Sequence, residues 1–390
     1  MKIDCVKIYG VVLPFGGPFE HAKRKGAFAK NVVVEVIAEK GNIRGYGEGA
    51  PREFVTGETQ KSAIRAIQIM VEGETFPWEI EDFFHIGLFL ENLSSGKGNH
   101  AAQCALETAL FDAYGKWHGK PVSHWLDQSF MTDKIRYGGT IPLGKGRRRD
   151  EICDLLETWG IDQLRLKMGA DLDANGEALD MVQRRFGIDR GLRVDANGSW
   201  DMNLATQHLE MLAANNVHIV EQPLAAGDAD SVLFAEALSI HNIQLMADES
   251  VCSLQDLDHV IRKKSFQGVN VRLSKCGGLG NALKMIEMIR SRGLFFQIGC
   301  QLGESGVLSA AGRTLSLLCN DALYHDGSYD ALLLEENITT KNIAFDHGGW
   351  AGALEGGGFG ATVDLDKLNR LSLQKMSRSI KKPTKRGRLK

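Results

Sequence analysis

Leu192-Arg193-Val194-Asp195, His218-Ile219-Val220-Glu221 and Gln244-Leu245-Met246-Ala247-Asp248 decide how this chain folds. Each is a short apolar run that closes on a carboxylate, and each is followed by a stretch with helical spacing. The same grammar extends outward. Before them stand Ile135-Arg136-Tyr137-Gly138 and Gln163-Leu164-Arg165-Leu166-Lys167; after them come residues 268–273, 294–298 and Ala322-Leu323-Tyr324. Eight strand candidates recurring about every 24 to 30 residues have the period of strand–helix units. Eight such units are the arithmetic of a (β/α)8 barrel, with an open doubly wound sheet as the alternative.

The first third reads differently. Val32-Val33-Val34-Glu35-Val36-Ile37 is a dense β-branched run, bounded by Gly41 and by Gly45-Tyr46-Gly47-Glu48-Gly49. From Glu58 the pattern turns helical through Ala63, Ile64, Ile67 and Met70. A second helix is expected over residues 100–118, with Ala101, Ala105, Ala109, Ala113 and Trp117 on one face. Strands followed by helices make an α+β piece.

Composition removes several classes. The 46 Lys and Arg against 49 Asp and Glu exclude a basic nucleic-acid binder. An apolar share of 43% excludes an acidic disordered chain. No apolar run reaches the roughly 18 residues of a membrane span, and no Ala-x-Ala-like cleavage site marks a signal peptide. Seven cysteines without a Cys-x-x-Cys pair read as reduced thiols of a cytoplasmic protein.

In a parallel barrel the C-terminal ends of the strands converge on one mouth. Those ends read Lys167, Asp195, Glu221, Asp248, Lys275 and, in the loop after the seventh strand, Glu304. Each acid alone could be a helix cap, as Asp195-Ala196-Asn197-Gly198 would allow. Three on consecutive strands would repel one another, and a hard divalent cation resolves that repulsion. All-oxygen ligation points to Mg²⁺, with Mn²⁺ as a substitute. Lys167 and Lys275 flank the triad, an order that suits proton removal from one face of a carbon acid and return from the other. The bland reading of either lysine is an ion pair with the acids. Arg165 and the cation would lower the pKa of Lys167 towards a useful range. A divalent cation on the carboxylate of a carbon acid would stabilise the enediolate formed on proton loss.

Taken in order, Arg165-Leu166-Lys167-Met168-Gly169, Val194-Asp195-Ala196-Asn197, Val220-Glu221-Gln222-Pro223, Ala247-Asp248-Glu249-Ser250 and Ser274-Lys275-Cys276-Gly277-Gly278 resemble the enolase superfamily, within it the muconate-lactonizing subgroup. Residues 299–305 and 356–360 look like further family segments. The resemblance implies a modified (β/α)8 TIM-type barrel over 131–350, an N-terminal α+β capping domain over 1–130, and a C-terminal segment, 351–390, that returns to the cap and ends in a basic tail. It implies that Asp195, Glu221 and Asp248 hold Mg²⁺, that Lys167 and Lys275 are the acid/base pair, and that Glu304 helps to close the site. Asn197 and Glu249 would support the ligands. Two capping loops would read the substrate through His21, Lys23, Arg52, Phe54 and Thr56. Two departures stand out. Arg165 occupies a position where the family often has Lys, and arginine stays protonated, so it can steer a carboxylate but not act as the base. The Asp-x-Asp that grips a substrate ammonium in dipeptide epimerases corresponds to Ser328-Tyr329-Asp330, with one acid of two.

The expected activity is α-proton abstraction from a small-molecule carboxylate by a homo-oligomeric isomerase or lyase, giving cycloisomerisation, racemisation or epimerisation, or syn elimination. N-acyl amino acid racemase, o-succinylbenzoate synthase and dipeptide epimerase are variants on the same scaffold. Rivals are a metal- or carboxylate-binding barrel without catalysis, and a phosphate-binding enzyme using Gly277-Gly278-Leu279-Gly280 at a helix start.

Overall fold

The computed structural model describes residues 1–21, 24–93, 98–187, 192–373 and 377–383 and, of 17–21 and 24–25, the backbone alone. The β-branched run builds an antiparallel sheet of β1 (Ile3–His21), β2 (Arg24–Ala38) and β3 (Ile43–Gly49). Alternation along β2 divides its side chains between two cores. Val32, Val34 and Val36 face the core shared with the helices, whereas Val33 packs with Tyr9, Val11 and Leu13 against Val307, Leu334 and Leu368. Helices Gln60–Glu72 and His100–His118 cover one face. The first starts in a capping box between Thr59 and Ser62, and the second stops at Gly119, whose φ of 63° is left-handed.

The barrel follows. β4 (Lys134–Arg136) precedes eight strands that pair in parallel in chain order: β5 (Gly139–Ile141), β6 (Leu164–Lys167), β7 (Leu192–Asp195), β8 (Val217–Glu221), β9 (Gln244–Ala247), β10 (Gly268–Arg272), β11 (Phe295–Gly299) and β12 (Tyr324–His325). A parallel bridge between Tyr137 and His325 joins the first strand to the last, with the Gly138 N–H donating to the His325 carbonyl at 2.8 Å. The architecture is the mixed α/β one expected, and the doubly wound alternative falls away.

One strand differs from the sequence reading. Residues 135–138 were expected to open the barrel, but β4 pairs antiparallel with β13 (Trp350–Gly352) outside it. Ile135 and Tyr137 bury their side chains in a separate cluster with Leu317 and Ala351, so the barrel strand begins only at Gly139. The C-terminal segment comes back onto the first sheet. Leu373 N–H donates to Gly10 O at 2.8 Å, and β14 (Arg378–Lys381) pairs antiparallel with β1. The basic tail from 384 onwards lies outside the described residues.

The helix His100–His118 joins the two halves. Gly45, Gly47 and Gly49 sit on one face of β3 and meet its backbone at Ala113, Ala105 and Ala101, so close that an added Cβ at any of the three would overlap main-chain atoms. Gly87, in helix Phe83–Glu91, has open space around it. Gly47→Ala should therefore cost about 1–3 kcal/mol or more by overpacking, while Gly87→Ala should be neutral or stabilise by up to about 1 kcal/mol. Urea unfolding of both variants checks this; equal effects would contradict the packing account.

Candidate active site

Strand register assembles the acids. Lys167 pairs with Asp195, and Asp195 with Glu221, across β6, β7 and β8; Asp248 follows the last residue of β9. All three carboxylates are fully buried. The backbone just beyond is strained and pinned. Asn197 (φ 48°) and Gln222 (φ 37°) are left-handed non-glycine residues. The Gln222 Oε1 accepts from the N–H groups of Asp248 and Ser250, each at 3.0 Å, which ties the fourth strand end to the fifth.

Each acid faces a cation. The Lys167 ammonium donates to Asp195 at 2.5 Å and to Asn197 Oδ1 at 2.9 Å. Arg165 lies 3.0 Å from Glu221, 3.4 Å from Asp326 and 3.9 Å from Asp195. Arg272 pairs with Asp248 and stands 3.4 Å from Glu221. Burial raises the Glu221 pKa, and repulsion from Asp195 adds to it. Burial pushes Asp248 the same way, but Arg272 and Lys275 prevail and hold it at about 2. Burial opposes the charge of Arg165, yet Asp326, Glu221 and Asp195 raise its pKa well above the usual guanidinium value.

The second lysine sits past the strand end. Lys275 was expected to flank the substrate, but β10 ends at Arg272 and the chain turns into a short helix, Leu273–Cys276. Lys275 is fully buried beneath the acids, donating to Asp248 O at 2.7 Å, Asp248 Oδ1 at 3.0 Å and Asn270 O at 2.6 Å. Burial works against its charge, and Asp248 more than restores it, raising the pKa. Arg272, and not Lys275, lines a cavity together with Lys167. Strand alternation is the signal for it, because Asn270 and Arg272 share one face of β10, and Asn270 donates to Glu221 at 2.5 Å.

Other expected residues divide. Asn197 bridges Lys167 to Glu249, whose Oε1 it reaches at 3.2 Å. Burial, then repulsion from Asp248 and Asp195, pushes Glu249 up to about 8. Arg52 and Phe54 line the cavity, and Arg52 donates to Asn31 Oδ1 at 3.0 Å. Thr56 is buried away from it. Lys23 and the side chain of His21 lie outside the described residues. Glu304 does not line the cavity that holds Arg165, Lys167 and Arg272; it is buried at the cap junction, accepting from Gln301 N–H at 2.6 Å.

Ser328 accepts from Arg313 at 3.0 Å, and Asp330 braces its own loop through Asn337 Nδ2 at 2.6 Å and Ile343 N–H at 3.0 Å. The acid directly after the last strand is instead Asp326, gripped by both terminal nitrogens of Arg193 at 3.0 and 3.1 Å. The N–H groups of the Gly277–Gly280 turn are already taken. Glu107 already accepts the N–H groups of Leu279 and Gly280 there, and a Cβ on Gly278 would strike its carboxylate.

Among the described residues no three acid, histidine or cysteine side chains already stand at metal-holding spacing, because the carboxylates turn to the cations. The donor set nevertheless suits a hard divalent ion. It is all oxygen, from the ends of three adjacent strands, and beside it Asn270 Oδ1 and Glu249 Oε2 are buried without a hydrogen-bond partner.

A cavity of about 110 Å³ opens above this cluster. Arg165, Lys167 and Arg272 line one part of it and Ile152, Leu155, Leu156, Trp159, Leu332 and Leu333 an apolar part; Thr140, Arg148, Cys300, Gln301, Leu302, Tyr329 and the cap residues Arg52 and Phe54 complete the wall.

With that geometry in view, residues 147–367 match the family described as enolase C-terminal domain-like. The chain belongs to that family, and it is an enolase-superfamily enzyme. It is 30% identical over 320 residues to the hydrophobic dipeptide epimerase of Enterococcus faecalis, covering 80% of this chain and 86% of that one. The crystal structure of N-succinyl Arg/Lys racemase from Bacillus cereus superposes with a TM-score of 0.85 at 24% identity, covering 98% of this chain and all of that one. A dipeptide epimerase from Enterococcus faecalis V583, complexed with Mg and the dipeptide L-Leu-L-Tyr, superposes at 0.81 with 25% identity, covering 93% of this chain and all of that one.

Burial pushes the Glu304 carboxyl up to about 8, against an ordinary value near 4.3. Between those values the folded chain holds a proton that the unfolded chain has released. Stability from this group is therefore greatest below the lower value and is lost as pH rises to the upper one, by at most about 1.4 kcal/mol per pH unit. Thermal unfolding from pH 5 to 8 should show a steeper fall for wild type than for Glu304→Gln. Parallel profiles would mean that Glu304 carries no such proton.

Proposed function

We propose that this chain removes the proton α to a substrate carboxylate, with Lys167 as the base and Asp195, Glu221 and Asp248 as ligands of Mg²⁺. The observation that carries this reading is the strand register of Lys167, Asp195 and Glu221, with the buried Asp248 just past the next strand, at the end of a cationic cavity. When bound, Mg²⁺ supplies the positive charge that favours the enediolate. The residues do the rest. Arg165 and Arg272 orient the substrate carboxylate, Asn197 holds the Lys167 ammonium in place, and the leucine-rich wall excludes water from the proton in transit.

Racemisation or epimerisation is the outcome named for the relatives. A specific feature favours a second outcome. Arg272, not Lys275, lines the cavity with Lys167, and a guanidinium does not exchange protons at neutral pH. A single base on one face suits elimination or cycloisomerisation, in which the same lysine can both take and return the proton. The seven cysteines are free thiols, six of them buried, which supports a cytoplasmic setting, and we place the chain there as a homo-oligomer. Among the described residues no helix is long and apolar enough to cross a membrane.

Incubation of N-acyl amino acids, dipeptides and diacids with Mg²⁺ in D₂O tests the reading. Deuterium should enter the α-position of at least one of them, and Lys167→Ala should slow that exchange about 10²-fold or more. Exchange unchanged by the substitution would remove Lys167 from the chemistry. Ligand binding without any exchange would favour a non-catalytic barrel.

A further inference from the structure

Arg272 has two kinds of partner, charged and neutral. Its Nη2 pairs with Asp248 Oδ2 and stands 3.4 Å from Glu221 Oε1, while its Nη1 donates to Gln301 Oε1 at 3.2 Å. Asp248 and Glu221 are also two of the three carboxylates read as metal ligands. A carboxylate oxygen engaged by a divalent ion is a poorer acceptor, and the charge of that ion repels a guanidinium beside it. Gln301 is neutral and belongs to no carboxylate of the triad. Arginine does not escape burial by losing its proton, so the Arg272 guanidinium needs an acceptor in every state of the site.

The amide of Gln301 serves that arginine. Arginine only donates, so the 3.2 Å contact fixes the amide with Oε1 towards Arg272. The other end, Nε2, is buried without a hydrogen-bond partner. An amide buried with one group unpaired costs the fold more than an apolar side chain of similar volume. Gln301 is nevertheless 3% exposed, in the wall of the cavity that Arg272 and Lys167 line. Its loop is pinned on three sides. The Gln301 N–H donates to Glu304 at 2.6 Å, the Leu302 carbonyl accepts from Arg52, and the Gly303 carbonyl accepts from Asn31 at 2.8 Å. The cap thus fixes the loop, the loop fixes the amide, and the amide meets the arginine.

We propose that Gln301 is a positioning residue for Arg272: it keeps the guanidinium in the cavity when Asp248 and Glu221 turn to a divalent ion. Arg272 then faces the cavity beside one neutral partner, with its charge available to a substrate acid. The inference rests on the proposed metal ligands and adds an order of events to them. The metal site fills first and the acid follows, because without the ion Arg272 is neutralised by the carboxylates that the ion needs.

Calorimetric titration with Mn²⁺ of the full chain tests this in wild type, Gln301→Met, Arg272→Met and the double variant. Gln301→Met keeps the volume and removes the amide, and it should weaken Mn²⁺ binding about tenfold, the size of a lost hydrogen bond to a charged group. In the Arg272→Met background the same substitution should change nothing, since no guanidinium is left to hold. Equal affinity of wild type and Gln301→Met, or an equal loss in both backgrounds, would overturn the proposal. A crystal structure of wild type grown with Mg²⁺ answers the question without any variant. Arg272 should lie within hydrogen-bond distance of Gln301 and apart from Asp248; a guanidinium still paired with Asp248, or turned away from Gln301, would overturn the proposal as well. Wild type that binds no Mn²⁺ would remove the metal site and this proposal together, whereas unchanged binding by Gln301→Met removes the proposal alone.

Discussion

Three carboxylates taken out of water at the ends of adjacent strands are the constraint on which the rest of this molecule depends. Buried side by side, Asp195, Glu221 and Asp248 cannot all remain charged without opposing charge close by. The barrel supplies it from Arg165, Lys167, Arg272 and Lys275. Arg193, deeper in the barrel and stacked on Tyr324, neutralises Asp326 and accounts for the other buried charge of this layer. A barrel interior is usually filled with branched aliphatic side chains. Here its C-terminal layer is an ionic lattice, and its cations are the same groups that would meet an anionic substrate.

The lattice needs a lid, and the helix His100–His118 fastens one. Its first residue binds the Lys275 carbonyl at 2.7 Å, Glu107 caps the helix Leu279–Ser291, and Asp112 receives the N–H groups of Tyr46 and Phe359 at 2.8 and 3.0 Å. One element thus touches the sixth barrel strand's extension, the first sheet and the C-terminal segment. Glu48 continues the seam, accepting from Ser305 and Leu308 beyond the seventh strand. The positions of Arg52 and Phe54 over the cavity follow from that seam.

Much of this was legible before any coordinates. The period of strand–helix units, the order Lys, Asp, Glu, Asp on successive strand ends, and the helix-facing alanines all survive, because each rests on local repetition. What was lost depended on tertiary geometry. Lys275 looks like a strand end until the chain is seen to coil at Leu273, which rotates the lysine beneath the acids and leaves Arg272 in the cavity. The first barrel strand shifts because Ile135 and Tyr137 find an apolar partner surface elsewhere. Glu107 reads as one more polar position on a helix, since the glycine turn it fills is 172 residues away. Only the fold discloses such pairs.

The most direct measurement is the binding of Mn²⁺, followed by its electron paramagnetic resonance, to wild type and to Glu221→Gln. One ion per chain, with affinity lowered about a hundredfold or more by the substitution, is the predicted result. Binding of equal affinity in both proteins, or none in wild type, would contradict the claim that the strand-end carboxylates form a metal site.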